Sequence, residues 1–335
     1  MAYDRKGRFV GGSIPMSSSP VISVVMAVYN GARNLDDSIR SIVTQSFRDW
    51  ELIVVNDGST DDSASIISAW QQQESRLKVS TLTNGGLTRA LIAGCGIASG
   101  QYLARMDCGD FSLPDRLLRQ FELLESDSTA VLTSCGVAVV GPGRKLLSEA
   151  HMLPDIQKRL EEGDEFEIRS LPSHSSAFFR RSAYEAAGGY RHQFYYAQDL
   201  DLWTRMARLG RFITTREILV EFSIDPVSIS SRARAEQVAL TKLIVALRNA
   251  TAAESSRLLE KVSAIRQRKG RFGGDAAGYY FLSQLIDADD PDRGTYLLAA
   301  LRANPFHWKA AVRLMTYWMR KLKPSNRRAE NEGHR

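Results

Sequence analysis

ELIVVNDGSTDD (residues 51–62) sets the fold. Leu52 to Val55 are apolar and mostly β-branched with no polar alternation, the pattern of a strand buried on both faces in a parallel sheet. Asn56, Asp57 and Gly58 then stop the strand as turn residues, and Ser59 to Asp62 are N-cap residue types for a helix continued by Ile66, Ile67 and Trp70. The same unit recurs on either side. VISVVMAV (21–28) is a second such strand, and after it Leu35, Ile39, Ile42 and Val43 share one helical face. LKVSTL (77–82), the turn NGG and the helix LTRALIAGCGIA follow, and QYLARM (101–106) is a fourth strand.

Repeated βα units with short links imply an α/β, Rossmann-like, mostly parallel sheet flanked by helices, with ligands at the carboxyl ends of its strands. Further on, Pro114 to Glu125 reads as a helix, 130–140 as a strand, and 141–172 as an irregular insertion with one helical piece. SAFFRR (176–181) reads as a strand and DLDLWTRMARLG (199–210) as an amphipathic helix ended by Gly210. Strand signals cease near 230. The expected organisation is a disordered tail over 1–20, a sheet domain over 21–230 and a helical region over 231–335.

With 44% hydrophobic and 24% charged residues, the chain of 335 residues has the composition of a folded protein rather than a disordered one. Much of the net charge of +6 comes from RQRKGR (266–271), RKLK (320–323) and RR (327–328). No basic-aromatic groove pattern accompanies these clusters, so nucleic acid is not an expected partner. Cys95, Cys108 and Cys135 lack C-x-x-C spacing, which argues against a disulfide framework or structural zinc and fits a reducing compartment. The first residues lack the apolar core of a signal peptide, and no apolar run is long enough to span a bilayer. The expected location is the cytoplasm, including the inner face of the cell membrane.

The chemistry should sit where the strands end. Asp57 closes the second strand, and MDCGD (106–110) puts Asp107 and Asp110 at the end of the fourth. Charges on one sheet edge are costly to desolvate unless donors or a cation meet them, and a hard divalent ion suits carboxylates. Such an ion can carry a diphosphate and stabilise it as a leaving group. Taken singly, Asp57 and Asp110 serve equally well as helix caps.

SVVMAVYNG (23–31), ELIVVNDGSTDDS (51–63), NGGLTRALIAG (84–94), YLARMDCGDFSLPDRLLRQ (102–120), RRSAYEAAGGY (180–190) and QDLDLW (198–203) together resemble family 2 glycosyltransferases of the GT-A fold, in order and spacing, from about Val21 to Ser223. The resemblance implies inverting, non-processive transfer of a sugar, of hexosyltransferase type, from a nucleotide-diphosphate donor to an acceptor hydroxyl. UDP is the expected nucleotide, and the expected setting is cell-surface polysaccharide, lipopolysaccharide or glycoconjugate synthesis with a glycan or lipid-linked acceptor. The alternative is a catalytically silent relative that holds nucleotide or glycan.

Carried over by position, the resemblance gives Asp57 the base's N–H, with Ala27 and Tyr29 lining the same pocket. Asp107 matches the first acid of the family's metal motif, with Asp110 and His174 as further metal candidates for Mg2+ or Mn2+, although a lone histidine is more often structural; Arg105 and Arg116 fit phosphate contacts and packing or surface roles equally well. Asp199 matches the general base; Gly189, Tyr190 and Trp203 would form the sugar and acceptor wall. Two positions depart from the family pattern: Gly109 stands where an acid is usual, and Gln198 precedes Asp199 in place of an acid. Cys108 is a spacer rather than a ligand, since a thiolate favours softer metals than magnesium.

Two other patterns are misleading. DADD (287–290) follows a helical run and belongs in a connecting turn. GCGIASG (94–100) ends a helix, so it lacks the strand-to-helix setting of a dinucleotide fingerprint. The Q-x-x-R-W sequence of processive synthases is missing, which favours single-sugar addition. In the last helix, 308–323, Trp308, Ala311, Val312, Met315, Trp318, Met319 and Leu322 form a stripe, with Lys309, Arg313, Thr316, Arg320 and Lys323 opposite. The stripe either packs on the fold or rests as a peripheral contact on an anionic membrane.

Overall fold

The computed structural model describes residues 19–152, 156, 171–224, 234–265, 274–286 and 288–322. The strands are β1 (Ile22–Val28), β2 (Trp50–Asn56), β3 (Leu77–Thr81), β4 (Tyr102–Asp107), β5 (Phe111–Ser112), β6 (Ala130–Val140), β7 (Leu146–Ala150), β8 (Phe178–Arg180) and β9 (Arg211–Ser223). The helices are α1 (Ala32–Val43), α2 (Ser63–Gln73), α3 (Leu87–Ile97), α4 (Arg116–Glu125), α5 (Arg181–Ala186), α6 (Gln198–Met206), α7 (Arg234–Arg248), α8 (Ala252–Ile265), α9 (Gly274–Leu285), α10 (Pro291–Ala303) and α11 (Trp308–Leu322).

The sheet runs β3-β2-β1-β4-β8-β6-β9-β5, with β7 off that path. β3, β2, β1 and β4 are parallel neighbours, as the repeated βα units require. Past β4 the sheet becomes mixed: β8 is antiparallel to both β4 and β6, and β9 is parallel to β6. The sequence reading assigns no element to 211–223. Its TTRE segment interrupts the apolar runs, and Phe212, Leu219 and Val220 are its buried hydrophobic residues.

Strand alternation feeds two cores. Val24, Met26, Leu52 and Val54 face α1 and α4, packing with Leu35, Ile39, Leu117 and Phe121. Val25, Ala27, Ile53 and Val55 face the other way, toward Leu91 of α3 and Leu202, Trp203 and Met206 of α6. Each fully buried aliphatic side chain of this kind contributes roughly 1.5–3 kcal/mol. Gly94 lets α3 lie close on the sheet: a Cβ there would stand 2.6 Å from Val25 Cγ1 and 3.0 Å from Val55 Cγ2. That contact accounts for a glycine in a sequence that only imitates a nucleotide fingerprint.

The described residues group into two compact units. The first holds β1–β6, β8 and β9 together with α8 and nearly all of α7, and the second joins 141–148 to α9, α10 and α11. Leu240, Ile244 and Val262, on α7 and α8, belong to the core behind Val25. The boundary expected near 230 lies outside the described residues, as do 1–18 of the expected tail, most of 153–170 and the clusters at 266–271 and 327–328. In the second unit, Leu297, Ala300 and Ala310 form a small core flanked by Tyr279, Tyr280 and Leu314. Asp290, from the misleading DADD run, caps α10 by accepting from Asp292 N and pairs with Lys145. All three cysteines are free thiols.

Candidate active site

Sheet register brings the carboxyl ends together. On β1, Ala27 pairs with Asp107 of β4 and Val28 pairs with Asn56 of β2, so Asp57 and Asp107 flank one strand end. The loops above that edge are laced to one another. Asn30 Oδ1 accepts from Thr60 N at 2.8 Å, Ser59 Oγ accepts from Asn30 N at 3.0 Å, and Ser63 Oγ accepts from Gly31 N at 3.0 Å. Asp57 is buried, and its two carboxylate oxygens accept from Gly85 N at 2.9 Å and Gly86 N at 2.7 Å. Oδ2 also accepts from Asn84 Nδ2 at 3.4 Å, so Oδ1, with two lone pairs and one donor, is the oxygen that retains acceptor capacity. Ala27 is buried beside them, and Tyr29 projects with 54% exposure.

Asp107 keeps 29% of its side chain exposed, whereas Asp110, a turn later, keeps 3%. Ser175 Oγ lies against Oδ2 of both, 2.9 Å from Asp107 and in a short contact with Asp110. One hydroxyl has one hydrogen, so it cannot donate to both carboxylates. Burial first, and then the Asp107 charge, push the Asp110 carboxyl up to about 7, so below neutral pH Asp110 holds a proton and relieves the conflict. Its other oxygen accepts from Ser223 N at 2.9 Å. Asp107 goes the other way: burial opposes ionisation, but the Arg105 guanidinium and hydrogen bonds outweigh it and hold the carboxyl below its ordinary value.

Several sequence expectations are therefore redrawn. Arg105 is buried and spends its donors inside the fold, on His174 Nε2 at 3.1 Å, Val25 O at 2.8 Å, Met106 O and Asp107 Oδ1; it braces Asp107 instead of reaching for phosphate. Because arginine only donates, His174 Nε2 accepts, and the ring's proton sits on Nδ1, 4.0 Å from Asp107 Oδ2. Burial and the Arg105 charge push His174 down to about 3, so it stays neutral and, as bonded, offers no lone pair to a cation. Tyr190, expected on the sugar wall, is buried with its hydroxyl 2.7 Å from the same Nε2. Trp203 is fully buried, donates to Pro172 O at 3.2 Å and meets the His174 and Phe179 rings edge-on, so it supports the histidine from the core. Gly189 lies in the turn before Tyr190 at φ 64°.

Asp199 lies in the first turn of α6 and is not its cap; Ala197 occupies that position, in the left-handed region at φ 55°. A non-glycine residue in that conformation is strained, and such strain clusters at functional sites. Asp199 Oδ1 accepts from Leu200 N at 2.9 Å. Burial raises its carboxyl to about 6, the Asp107 charge adding to the rise, so the two carboxylates sense one another. Asp201, two residues on, is buried in ion pairs with Arg191 and Arg205.

Gly109 answers for the missing acid. It sits in the β4–β5 turn at φ 107°, where side chains are strained, and its N–H donates to Ser38 Oγ at 2.9 Å. Among the described residues, no three His, Cys, Asp or Glu side chains gather as a metal cage. The donor set suits a divalent ion held by Asp107 with oxygens from a ligand and water, since magnesium needs only one or two protein carboxylates. Sequence reading missed Ser175 altogether. Its hydroxyl acquires meaning only when β4 and the segment before β8 meet, and nothing local in LPSHSS marks it.

Comparison with known proteins agrees with this architecture. The sequence model of the family described as Glycosyl transferase family 2 matches residues 23–188. EpsE of Bacillus subtilis (strain 168) is 34% identical over 206 residues, covering 58% of this chain and 69% of its own. An uncharacterized glycosyltransferase of Haemophilus influenzae is 30% identical over 236 residues, covering 68% of this chain and 73% of its own. The chain belongs to glycosyl transferase family 2. Among solved structures, this family 2 glycosyltransferase superposes on the mannosyltransferase PcManGT of Pyrobaculum calidifontis, in complex with GDP-Man and Mn2+, with TM-score 0.55 at 20% identity over 92% of this chain and 82% of that one. S. aureus TarS 1–349 in complex with UDP-GlcNAc gives TM-score 0.55 at 15% identity over 89% of each chain. At that identity the likeness speaks for the fold, which is GT-A.

Proposed function

We propose that this glycosyltransferase moves a sugar from a nucleoside-diphosphate sugar, with UDP the first nucleotide to test, to an acceptor hydroxyl with inversion at the anomeric carbon. The observation that carries the reading is the Asp199 carboxyl, raised by burial to about 6 and within electrostatic reach of Asp107 at the sheet's carboxyl edge. A base poised there is ionised at neutral pH yet more basic than an ordinary carboxylate, the balance proton transfer favours.

The acceptor O–H gives its proton to Asp199 as the acceptor oxygen bonds the anomeric carbon. The bond from that carbon to the diphosphate oxygen breaks, and its electron pair leaves with the nucleoside diphosphate. A single displacement from the opposite face inverts the centre. Leu200 N–H holds Oδ1 of Asp199, leaving Oδ2 to take the proton. Asp57, through the lone pair of Oδ1 that Gly85 N leaves open, accepts the base's N–H, which suits uracil or guanine. Asp107 would hold Mg2+ or Mn2+ beside the diphosphate, and the bound ion would neutralise charge on the leaving group. The GDP-Man, Mn2+ and UDP-GlcNAc in the two neighbouring structures support a nucleotide-sugar donor and a divalent ion. A glycan or lipid-linked sugar is the acceptor class to test.

Gly109 and Gln198 favour one other reading, a silent relative that binds nucleotide without turnover. Calorimetry with UDP and GDP, with and without Mn2+, followed by a donor-sugar turnover screen, separates the two. Turnover abolished by Asp199→Asn supports the enzyme. Binding with no turnover of any donor leaves the silent reading, and no nucleotide binding at all sinks both.

A further inference from the structure

Helix α11 divides into three faces. Ala310 and Tyr317 are buried, and Leu314 packs with them against the small core of the second unit. A second face, centred on Trp308, Val312, Met315 and Met319, points outward. Trp308 is 67% exposed and Met315 62%, and Trp318 and Val312 are about half exposed. Phe306, just ahead of the helix, is 91% exposed. Lys309, Arg313 and Arg320 make the third face, flanking the exposed apolar one. Of the two sequence readings of the stripe, packing on the fold is not what these side chains do: Ala310, Leu314 and Tyr317 pack instead, and Trp308, Val312, Met315, Trp318 and Met319 lie exposed.

A contiguous exposed apolar patch rimmed by charge marks an interaction surface rather than ordinary surface. Its composition selects the occupant. The aromatic and methionine side chains are amphipathic or flexible types that sit at the headgroup–acyl boundary, and the adjoining row carries only positive charge, complementary to anionic lipid. Beyond the helix the sequence continues with Lys323, Arg327 and Arg328 and has no acid before Glu330. Among the described residues no helix is long and apolar enough to cross a membrane. We infer that α11 lies in the plane of an anionic membrane surface, with Phe306, Trp308, Val312, Met315 and Met319 in the acyl boundary and the basic row on the headgroups. The inference is independent of the donor, metal and general base.

Flotation of the full chain with phosphatidylcholine vesicles, with and without phosphatidylglycerol, tests it. The chain should float with the anionic vesicles and be released by salt, because each basic residue near the surface is worth about fivefold in partitioning and is screened by ions. Trp308→Ser with Met315→Ser should cut binding at least tenfold on the area-burial scale. Lys309→Glu, Arg313→Glu and Arg320→Glu together should cut it roughly hundredfold on anionic vesicles and leave neutral vesicles unaffected. All the altered side chains are exposed or on the outer row, so circular dichroism and calorimetric nucleotide titration should match the parent chain and exclude misfolding. Equal flotation on neutral and anionic vesicles overturns the inference, as does flotation that survives the Trp308/Met315 change. Sedimentation velocity adds a third arm: concentration-dependent dimers broken by that same change, without flotation, would assign the face to a second copy instead.

Discussion

Asp110→Asn should make this protein more stable at neutral and alkaline pH, with the gain shrinking as pH falls toward about 4. In the fold the carboxyl ionises near 7, against 3.8 when freely solvated, because burial and the neighbouring Asp107 charge disfavour its ionised form. A raised value means the folded state binds the extra proton. That stability is fully present below about pH 4, drains away from there up to about pH 7, and is gone above it. Each pKa unit is worth about 1.4 kcal/mol, so the roughly three-unit rise caps the loss near 4 kcal/mol, and relaxation around a buried pair brings a realistic figure to about 2 kcal/mol. Asparagine copies the protonated acid. Its carbonyl can accept from Ser223 N, and its amide can donate to Ser175 Oγ, which frees the serine hydrogen for Asp107. Urea unfolding in chelator should therefore find parent and variant nearly equal near pH 4 and the variant ahead by about 2 kcal/mol near pH 8. A variant that is weaker by the same amount at both pH values would refute the protonated bridge.

Three further outcomes follow from the same geometry. Asp199→Asn should lower kcat by roughly 10²–10⁴ while leaving donor binding intact, and the parent's rate should fall as pH drops through about 6, since the base works only when ionised; a flat parent profile would remove Asp199 from that role. Arg105→Met leaves Asp107 without its guanidinium partner and should cost about 3 kcal/mol in urea unfolding, with Arg105→Lys recovering only part of it. Gly94→Ala should destabilise by about 1–2 kcal/mol, crowding against Val25 and Val55 outweighing the better helix propensity, and Val25→Ala in the same chain should restore part of the loss.

The parallel half of the sheet was legible because its strands are buried on both faces and read as unbroken runs, as in Leu52 to Val55. The mixed half was not. β9 alternates only weakly, and what makes it a strand is pairing with β6, a partner far away in sequence. The site divides in the same way. Asp57, Asp107 and Asp199 lie at element ends, where local pattern places them, and the sheet register brings Asp57 and Asp107 to one edge. The roles of Arg105, His174, Tyr190 and Trp203 depend on what surrounds them. Each has a polar group that in isolation suggests contact with a ligand, yet burial turns those groups inward, onto one another and onto the backbone. Ser175 carries no local signal, because its two acceptors come from another strand.

The left-handed alanine ahead of α6 sets two selective pressures against each other. Replacing Ala197 with glycine would remove a conformational penalty of about 1–2 kcal/mol. The same change would widen the backbone freedom of the cap two residues before Asp199. Thermostabilisation of this chain by consensus or relaxed-backbone substitution would therefore select a hardier but slower protein at this residue, and directed evolution for turnover should keep the alanine.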